Sequence, residues 1–409
     1  MGSQQPISRP MRNLLAGFYT SLFGSQMTTV ALAFAVLASG HGAAGLGLVL
    51  AAGRLPTVAF VLVAGVLADR LPRRTVMLIT DAARGASQAV LAVWLFTGDV
   101  PLVVLMLFAA VDGLGNAFFR PALVGLVPSL TDRSGLQRAN ALIGFGRSFS
   151  SLAGPALGGL LVAFTDPATV FAIDAATYAV SALFLFAVPR DVPTPRPHRP
   201  GMLTDLREGW TEFRSRRWVW SVVAQFGLVH LTTVPAYLVL GPQIAADSLG
   251  GAQSWGFILG CFGAGSVAGG LLMVRFTPRH PMVVATLGML WFVPASIALA
   301  LQAPLAVIMA TGFLAGIGIG VFGTLWATVL QANVPTQVLS RVSAYDWFGS
   351  LITLPLGFTL VGVLAGQWGT AFPLLLGAAT MALSCAAVLT VPEVRRLTVE
   401  PAPAPPAVA

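Results

Sequence analysis

The chain alternates between long apolar runs and short polar breaks, which predicts helices that cross a membrane. Each run has about twenty residues, the length at which a helix spans a bilayer core of about 30 Å. Transmembrane strands would give shorter, strictly alternating segments. We therefore expect an all-α integral membrane protein of about twelve spans: Leu14–Leu37, Ala44–Ala68, Thr75–Phe96, Pro101–Phe119, Asn140–Phe164, Pro167–Val188, Val219–Leu240, Trp255–Val274, Met282–Leu301, Pro304–Leu330, Trp347–Ala365 and Ala371–Val391.

One long polar break, Pro189–Trp218, divides these spans into two six-helix halves. Within the break, Leu203, Leu206, Trp210 and Phe213 recur at helical spacing, which predicts an amphipathic helix at the membrane surface. The low-complexity end of the chain predicts a disordered cytoplasmic tail. The predicted units are residues 1–188, 189–218, 219–391 and 392–409.

The two halves repeat one plan. A shift of 203 residues places Arg138 on Arg341, Gly154 on Gly357 and Gly159 on Gly362. Parallel repeats with a site between them are typical of secondary transporters. The sequence therefore predicts a pseudo-symmetric pair of six-helix halves around a central site.

Arginine distribution predicts the orientation. Loops after even-numbered spans carry arginine, and loops after odd-numbered spans carry none. Because cytoplasmic loops are the ones enriched in Arg, we expect both termini to be cytoplasmic in a multi-pass protein of the plasma or inner membrane.

Composition excludes several classes of function. Only 9% of residues are charged and 56% are hydrophobic, and all 23 basic residues are arginine. Without lysine, the chain has no phosphate-loop Lys and no Schiff-base Lys. The histidines and the two cysteines are scattered. We therefore expect no enzyme activity, no cofactor, no metal site and no nucleic-acid partner.

Four stretches carry a family resemblance: "GVLADRLPRR" at 65–74, "GPALGG" at 154–159, "FFRPALVGLVPSL" at 118–130 and "DLREGWTEFRSRRW" at 205–218. They resemble the major facilitator superfamily, and within it the drug-efflux branch that contains the enterobactin exporter and macrolide-efflux proteins. The resemblance implies transport by alternating access. It also implies an antiporter-type motif at Gly154, Pro155, Gly158 and Gly159.

The first stretch has two interpretations. As a positive-inside anchor, it only holds the loop in the cytoplasm. As a latch, Asp69 would face the N-terminal end of the eleventh helix, near Ala344–Trp347, where the helix dipole favours an anion. The resemblance implies that such a latch stabilises the outward-facing state. The candidate latch residues are Gly65, Asp69, Arg70, Arg73 and Arg74.

Charged residues within the spans are the candidates for proton coupling. Arg54, Asp112 and Arg147 fall near the midplane, where a charge must be paired or face water. We expect Asp112 to pair with Arg54 or Arg147, either as a static brace or as a pair that breaks on protonation. Asp174 is the second candidate for protonation.

Two further intramembrane arginines, Arg84 and Arg120, fall closer to predicted helix ends, so we expect them to extend toward the surface in a structural role. The candidate residues of a substrate cavity are Gln26, Gln225, His230, Tyr237 and Trp326.

The sequence thus favours a secondary active transporter that exports amphipathic small molecules, such as antibiotics, in exchange for protons. Mostly apolar walls suit hydrophobic compounds, cationic ones among them. A siderophore or metabolite exporter is the alternative within transport, and a non-transporting membrane sensor is the alternative outside it. We expect a monomer whose partners are substrate, protons and the lipid bilayer.

Overall fold

The structure is a computed structural model, and it describes residues 8–131, 133–189 and 202–398. Side chains within those ranges are described except at 61–70, 133–134, 137, 202–206, 208, 336–337 and 340. Every regular element of the described residues is helical.

Six long helices form the N-terminal half. Their bounds are α1 (Arg9–Ala38), α2 (Gly42–Arg70), α3 (Arg73–Thr97), α4 (Leu102–Leu130), α5 (Arg133–Phe164) and α6 (Pro167–Phe186). At 1.5 Å per residue, each is long enough to cross a bilayer core. Among described residues, eleven helical segments of the chain also meet an apolar criterion for spanning. The helix α5, with 32 residues, completes the predicted set of about twelve.

The C-terminal half contains six spans built from shorter helices. The helix α7 (Met202–Ser215) precedes them. The remaining bounds are α8 (Arg217–Leu231), α9 (Thr233–Ser248), α10 (Ala252–Arg275), α11 (Pro281–Met289), α12 (Phe292–Ala300), α13 (Leu305–Asn333), α14 (Thr336–Leu351), α15 (Leu354–Trp368), α16 (Ala371–Thr390) and α17 (Pro392–Arg396).

Prolines break three of these spans. A proline lacks an N–H and its ring collides with the carbonyl four residues earlier. The breaks between α8 and α9, between α11 and α12, and between α14 and α15 each lie just ahead of such a residue: Pro235, Pro294 and Pro355. Each pair of helices therefore continues one span with a bend at its middle.

Several helices are longer than the apolar pattern predicted, and two of them, α4 and α14, change the position of a candidate site. The helix α4 continues through Pro121 to Leu130, so Arg120 lies about ten residues, or roughly 15 Å, inside it rather than near its end. The helix α14 begins at Thr336. Its positive dipole end is therefore several residues away from the predicted anion site at Ala344–Trp347.

Part of the predicted disordered tail is ordered. Residues 392–396 form α17, in which Val394 is fully buried. The Glu393 carboxylate accepts a hydrogen bond from the Trp218 backbone N–H at 3.2 Å. Residues 399–409, to which the rest of that prediction applies, lie outside the described residues.

The halves touch at one end of the bundle, the end at which α1, α3 and α5 terminate, called here the far end. Glycines allow backbone contact there. Gly47 of α2 lies against the Phe358 carbonyl of α15, and Gly362 of α15 lies against Ala44. On the other side, Gly159 of α5 meets Gly256 of α10. The far end is therefore closed by two close-packed helix pairs.

Toward the opposite end, called here the arginine-rich end, α5 and α10 separate. Their contact continues from the far end to Ser151 and Leu152 of α5, which lie against Gly263. Further along the same stripe of α5, Ser148 is exposed, and Gly144 is exposed with no neighbouring atom around the position of a Cβ. A space between the halves therefore widens toward the arginine-rich end.

We predict that adding a methyl group at the far-end contact between α2 and α15 destabilises the protein. Gly362→Ala places a Cβ against the Ala44 backbone, and overpacking of this kind costs about 1–3 kcal/mol. Thermal unfolding in detergent should show a lower Tm, and electron-resonance distances across the far end should lengthen.

Gly366→Ala is the matched control, because it lies one turn further along the same helix and faces open space. Its Tm should equal or exceed that of the unmodified protein, since alanine favours helix. Equal Tm values for the two variants would contradict the close packing.

Candidate functional site

A buried ion pair joins α3 to α4. The Arg84 guanidinium contacts Oδ1 of Asp112 through Nη2 at 2.5 Å and through Nε at 2.8 Å. The Arg84 side chain is 6% exposed, whereas the Asp112 side chain is 36% exposed. The pair therefore has one buried cation and one carboxylate that reaches accessible space.

Neighbouring polar groups hold this pair in place. The Arg84 guanidinium lies over the Tyr178 ring, 4.6 Å from its centroid. Tyr178 in turn shares a 2.8 Å hydrogen bond with the Ser25 hydroxyl. Asn116, one turn beyond Asp112, donates to the second carboxylate oxygen at 3.0 Å. Four helices of the N-terminal half, α1, α3, α4 and α6, thus contribute side chains to one network.

The partner of Asp112 is Arg84, rather than the predicted Arg54 or Arg147. Arg84 lies thirteen residues before the end of α3, and Asp112 lies ten residues after the start of α4. At 1.5 Å per residue in antiparallel helices, these positions share a depth to within about 5 Å. Gly115 leaves room for the Arg84 methylenes against α4. Arg84 consequently turns inward and does not extend toward the surface.

Two further carboxyl groups are fully buried beside this network. Asp81 accepts a 2.6 Å hydrogen bond from the Ser181 hydroxyl, and Asp174 accepts one from Thr177 at 3.1 Å. In each, the other carboxyl oxygen has no hydrogen-bond partner among the described residues. Asp174 was a sequence candidate, whereas Asp81 was not.

The three arginines Arg54, Arg120 and Arg147 are all exposed. They belong to α2, α4 and α5, three different helices of the N-terminal half. Among the described residues, the Asp112 carboxylate contacts Arg84 and Asn116 and has no contact with Arg54.

His230 is a half-buried residue of α8 in the C-terminal half. Its Nδ1 is 2.7 Å from the Ser350 carbonyl in α14. Thr353, at the break between α14 and α15, donates to the Gly227 carbonyl at 2.7 Å. The bends of two spans are thus joined beside the site.

Of the remaining cavity candidates, Gln26 and Trp326 are half-buried, and Trp326 donates to Asp346 at 3.0 Å. Gln225 and Tyr237 do not fit a cavity, because they are 2% and 3% exposed. Gln225 donates to the Cys385 sulfur, and Tyr237 packs between Trp255 and Phe292. The sequence could not separate these packed polar groups from cavity groups, since both occupy apolar helices.

The structure describes part of the predicted latch. Arg74 donates to the last carbonyls of α6, those of Leu185 at 2.9 Å and Phe186 at 2.8 Å, as cations do at a helix C-terminus. Arg73 lies against Gly125 of α4. The side chains of Gly65, Asp69 and Arg70 lie outside the described ones. The latch therefore stays a prediction.

The predicted glycine–proline motif lies at helix contacts. Gly154 packs against Gln26 and Gly158 against the Met27 backbone, both in α1. Gly159 and the Pro155 carbonyl pack against Gly256 of α10. The motif therefore joins α5 to its own half on one face and to the other half on the next.

Comparison with known proteins agrees with this architecture. Residues 5–406 match the family described as transmembrane secretion effector. The chain belongs to this family, within the major facilitator superfamily. The chain is 28% identical to the multidrug efflux pump Tap of Mycobacterium tuberculosis, over 92% of each chain. It is 23% identical to macrolide efflux protein A of Streptococcus pyogenes, over 87% of this chain and 89% of that one.

Solved structures with the same fold are transporters. A bacterial homologue of the lysosomal transporter Spinster, in an inward-facing and unoccupied conformation, superposes with a TM-score of 0.73 over 97% of this chain and 98% of that one, at 17% identity. The nucleoside transporter NupG gives 0.73 over 93% and 98%, at 13% identity. The family and fold are those of a multi-pass membrane transporter rather than an enzyme.

We predict that Asp112→Asn destabilises the protein by leaving Arg84 buried without its counter-ion. The expected loss is about 2–3 kcal/mol, smaller than for a fully buried pair because Asp112 is partly exposed. Adding Arg84→Gln should restore most of the Tm. Adding Arg54→Gln or Arg147→Gln should not.

Asp99→Asn, at an exposed position beyond α3, is the control for removal of a carboxylate. The Tm values of all these variants, measured in the same detergent, show which arginine interacts with Asp112. Restoration by Arg147→Gln instead of Arg84→Gln would contradict the assigned pair.

Proposed function

We propose that this transporter exports amphipathic small molecules in exchange for protons, by alternating access. The multidrug and macrolide efflux relatives support export of such compounds. The observation that carries the proposal is the Arg84–Asp112 pair, in which a partly exposed carboxylate neutralises a buried cation.

Protonation of Asp112 would remove the charge that holds Arg84. The buried guanidinium would then keep the Tyr178 ring and the Ser25 hydroxyl as its remaining neighbours. Because an unpaired buried cation is costly, the network favours a different arrangement of α3 and α4 in the protonated state. Proton binding is in this way linked to helix packing.

Alternating access requires that the space between the halves open at one end at a time. The far-end contacts of Gly47 with Phe358 and of Gly159 with Gly256 support a closed end. Opening that end means separating these two helix pairs and closing the stripe near Gly144. Asp174, buried next to Gly24 of α1, is the second proton site that this cycle offers.

If proton coupling depends on Asp112, its substitution should affect pH-driven accumulation but not counterflow. In proteoliposomes, the unmodified protein should accumulate labelled erythromycin or ethidium against its gradient when a pH gradient is imposed. Asp112→Asn should abolish this accumulation, because it mimics the protonated acid. It should leave counterflow measurable, because exchange of substrate for substrate needs no net proton movement.

The double variant Arg84→Gln/Asp112→Asn serves as the stability-matched control. It should fold and still lack pH-driven accumulation. Full pH-driven transport by the double variant would remove Asp112 from the coupling mechanism. If Asp174→Asn alone abolishes coupling, the proton site is Asp174.

We also propose that the arginine-rich end is cytoplasmic, so that this conformation opens inward. In a background without native cysteines, Asp247→Cys at the far end should react with an impermeant maleimide added to intact cells. Thr277→Cys, in the loop between α10 and α11, should react only after permeabilisation. The reverse pattern would overturn the orientation.

A further inference from the structure

We propose that a groove between α7, α8 and α14 binds one anionic phospholipid, with an acyl chain inside the groove and the phosphate headgroup at Arg214 and Arg217. The site lies on the outer surface of the C-terminal half. It goes beyond the transport function proposed above and depends neither on the substrate nor on which side of the membrane the arginine-rich end occupies.

The groove is a cavity of about 600 Å³, within the size range of small-molecule sites. Its lining comes from all three helices and includes Trp210, Trp220, Ala224, Leu228, Phe348 and Thr353. None of the described lining residues is charged. The Thr353 hydroxyl already donates to the Gly227 carbonyl at 2.7 Å. Such walls suit an acyl chain, because a charge placed among them would lose its water without gaining a partner.

The groove opens away from the core of its own half. Trp220, Ala224 and Leu228 are exposed and follow one stripe of α8, four residues apart. Phe226 lies on the opposite face of the helix, where its ring is 4.7 Å from that of Phe322 in α13. An exposed apolar stripe on a spanning helix, turned away from the packed core, faces the lipid. The groove is therefore open to a chain that enters from the bilayer.

The groove extends over the depth of one leaflet. Eleven residues separate Trp220 from Leu231, the last residue of α8, which is about 16 Å of helix. On the other wall the lining ends at Thr353, where α14 gives way to α15. Half of a bilayer core is about 15 Å thick. An acyl chain that enters beside Trp220 would thus end near the midplane, at the bends of the two spans.

Arginine and tryptophan side chains surround the mouth of the groove. Arg214 follows Trp210 by one turn of α7, and Arg217 precedes Trp220 by three residues of α8. All four side chains are exposed. Tryptophan favours the boundary between lipid and water, and arginine binds phosphate in a bidentate, charge-assisted way. The mouth therefore lies where a headgroup would be, and it carries the groups that bind one.

The charge at the mouth favours an anionic headgroup. Arg216 forms an ion pair with Glu212 at 2.6 Å, which neutralises both groups. Arg214 and Arg217 have no ion pair among the described side chains. They would repel the charged end of a cationic amphiphile, whereas basic pockets between spanning helices are suited to anionic lipids. The occupant that fits both the apolar groove and its basic mouth is an anionic phospholipid.

Quenching of tryptophan fluorescence by brominated lipids tests this inference, because Trp210 and Trp220 line the groove. The purified protein in a neutral detergent is titrated with phosphatidylglycerol or phosphatidylcholine, both brominated near the carbonyl end of the same acyl chain. We expect phosphatidylglycerol to bind roughly twentyfold more tightly, since each arginine beside an anionic headgroup contributes about fivefold. The variant Trp210→Phe/Trp220→Phe should lose the saturable quenching.

Two arginine double variants test the headgroup site. Arg214→Gln/Arg217→Gln should make the affinities for the two lipids equal. Arg275→Gln/Arg279→Gln removes the same charge at exposed positions at the end of α10 and just beyond it, and it should keep the preference for phosphatidylglycerol. Equal affinities in the unmodified protein, or a preference that survives Arg214→Gln/Arg217→Gln, would overturn the inference.

A larger side chain inside the groove tests the acyl-chain site. Ala224→Leu should abolish saturable quenching by both lipids, because it fills the groove from an exposed position. Ala386→Leu, at an exposed position of α16, is the matched control and should bind as the unmodified protein does. Unchanged phosphatidylglycerol affinity in Ala224→Leu would contradict a chain in the groove. Equal quenching by both lipids that ethidium displaces would identify a substrate entrance instead and refute the lipid site.

Discussion

A guanidinium inside a helical membrane protein is stable only beside a negative charge or water, and the N-terminal half is arranged around that constraint. Arg84 is buried, and Asp112 alone forms its ion pair among the described residues. Gly115 makes room for the Arg84 side chain, and Tyr178 covers its charged face. Asp112 also reaches accessible space, and this is why the proposed mechanism assigns the proton to this residue.

The fold followed from the sequence more readily than the site did. Span lengths and arginine placement predicted twelve helices in two halves, because lipid imposes one length and one kind of secondary structure. The ion-pair partner of a charged residue inside the bundle depends on which helix faces pack against each other. Arg84 was assigned to the surface although its distance from the hairpin turn matched that of Asp112, a signal already present in the sequence.

Other differences have equally physical reasons. Gln225 and Tyr237 are polar residues that pack inside the C-terminal half, and no periodicity distinguishes them from cavity residues. The helix α4 extends beyond its predicted end because the residues after Arg120 are again apolar and buried, among them Leu123 and Leu126, whereas α14 begins in a polar segment ahead of its apolar run. The extension of α4 places Arg120 well inside its helix. The depth of Arg120 in the bundle therefore emerges only from the structure.

The central proposal is that Asp112 gains a proton when the transporter changes conformation. Infrared difference spectroscopy on the protein in lipid, recorded across a change of pH, detects the carbonyl band of a carboxylic acid that gains a proton. The account predicts that this band is present in the unmodified protein, persists in Asp174→Asn and disappears in Asp112→Asn. A band that disappears in Asp174→Asn and persists in Asp112→Asn would contradict it.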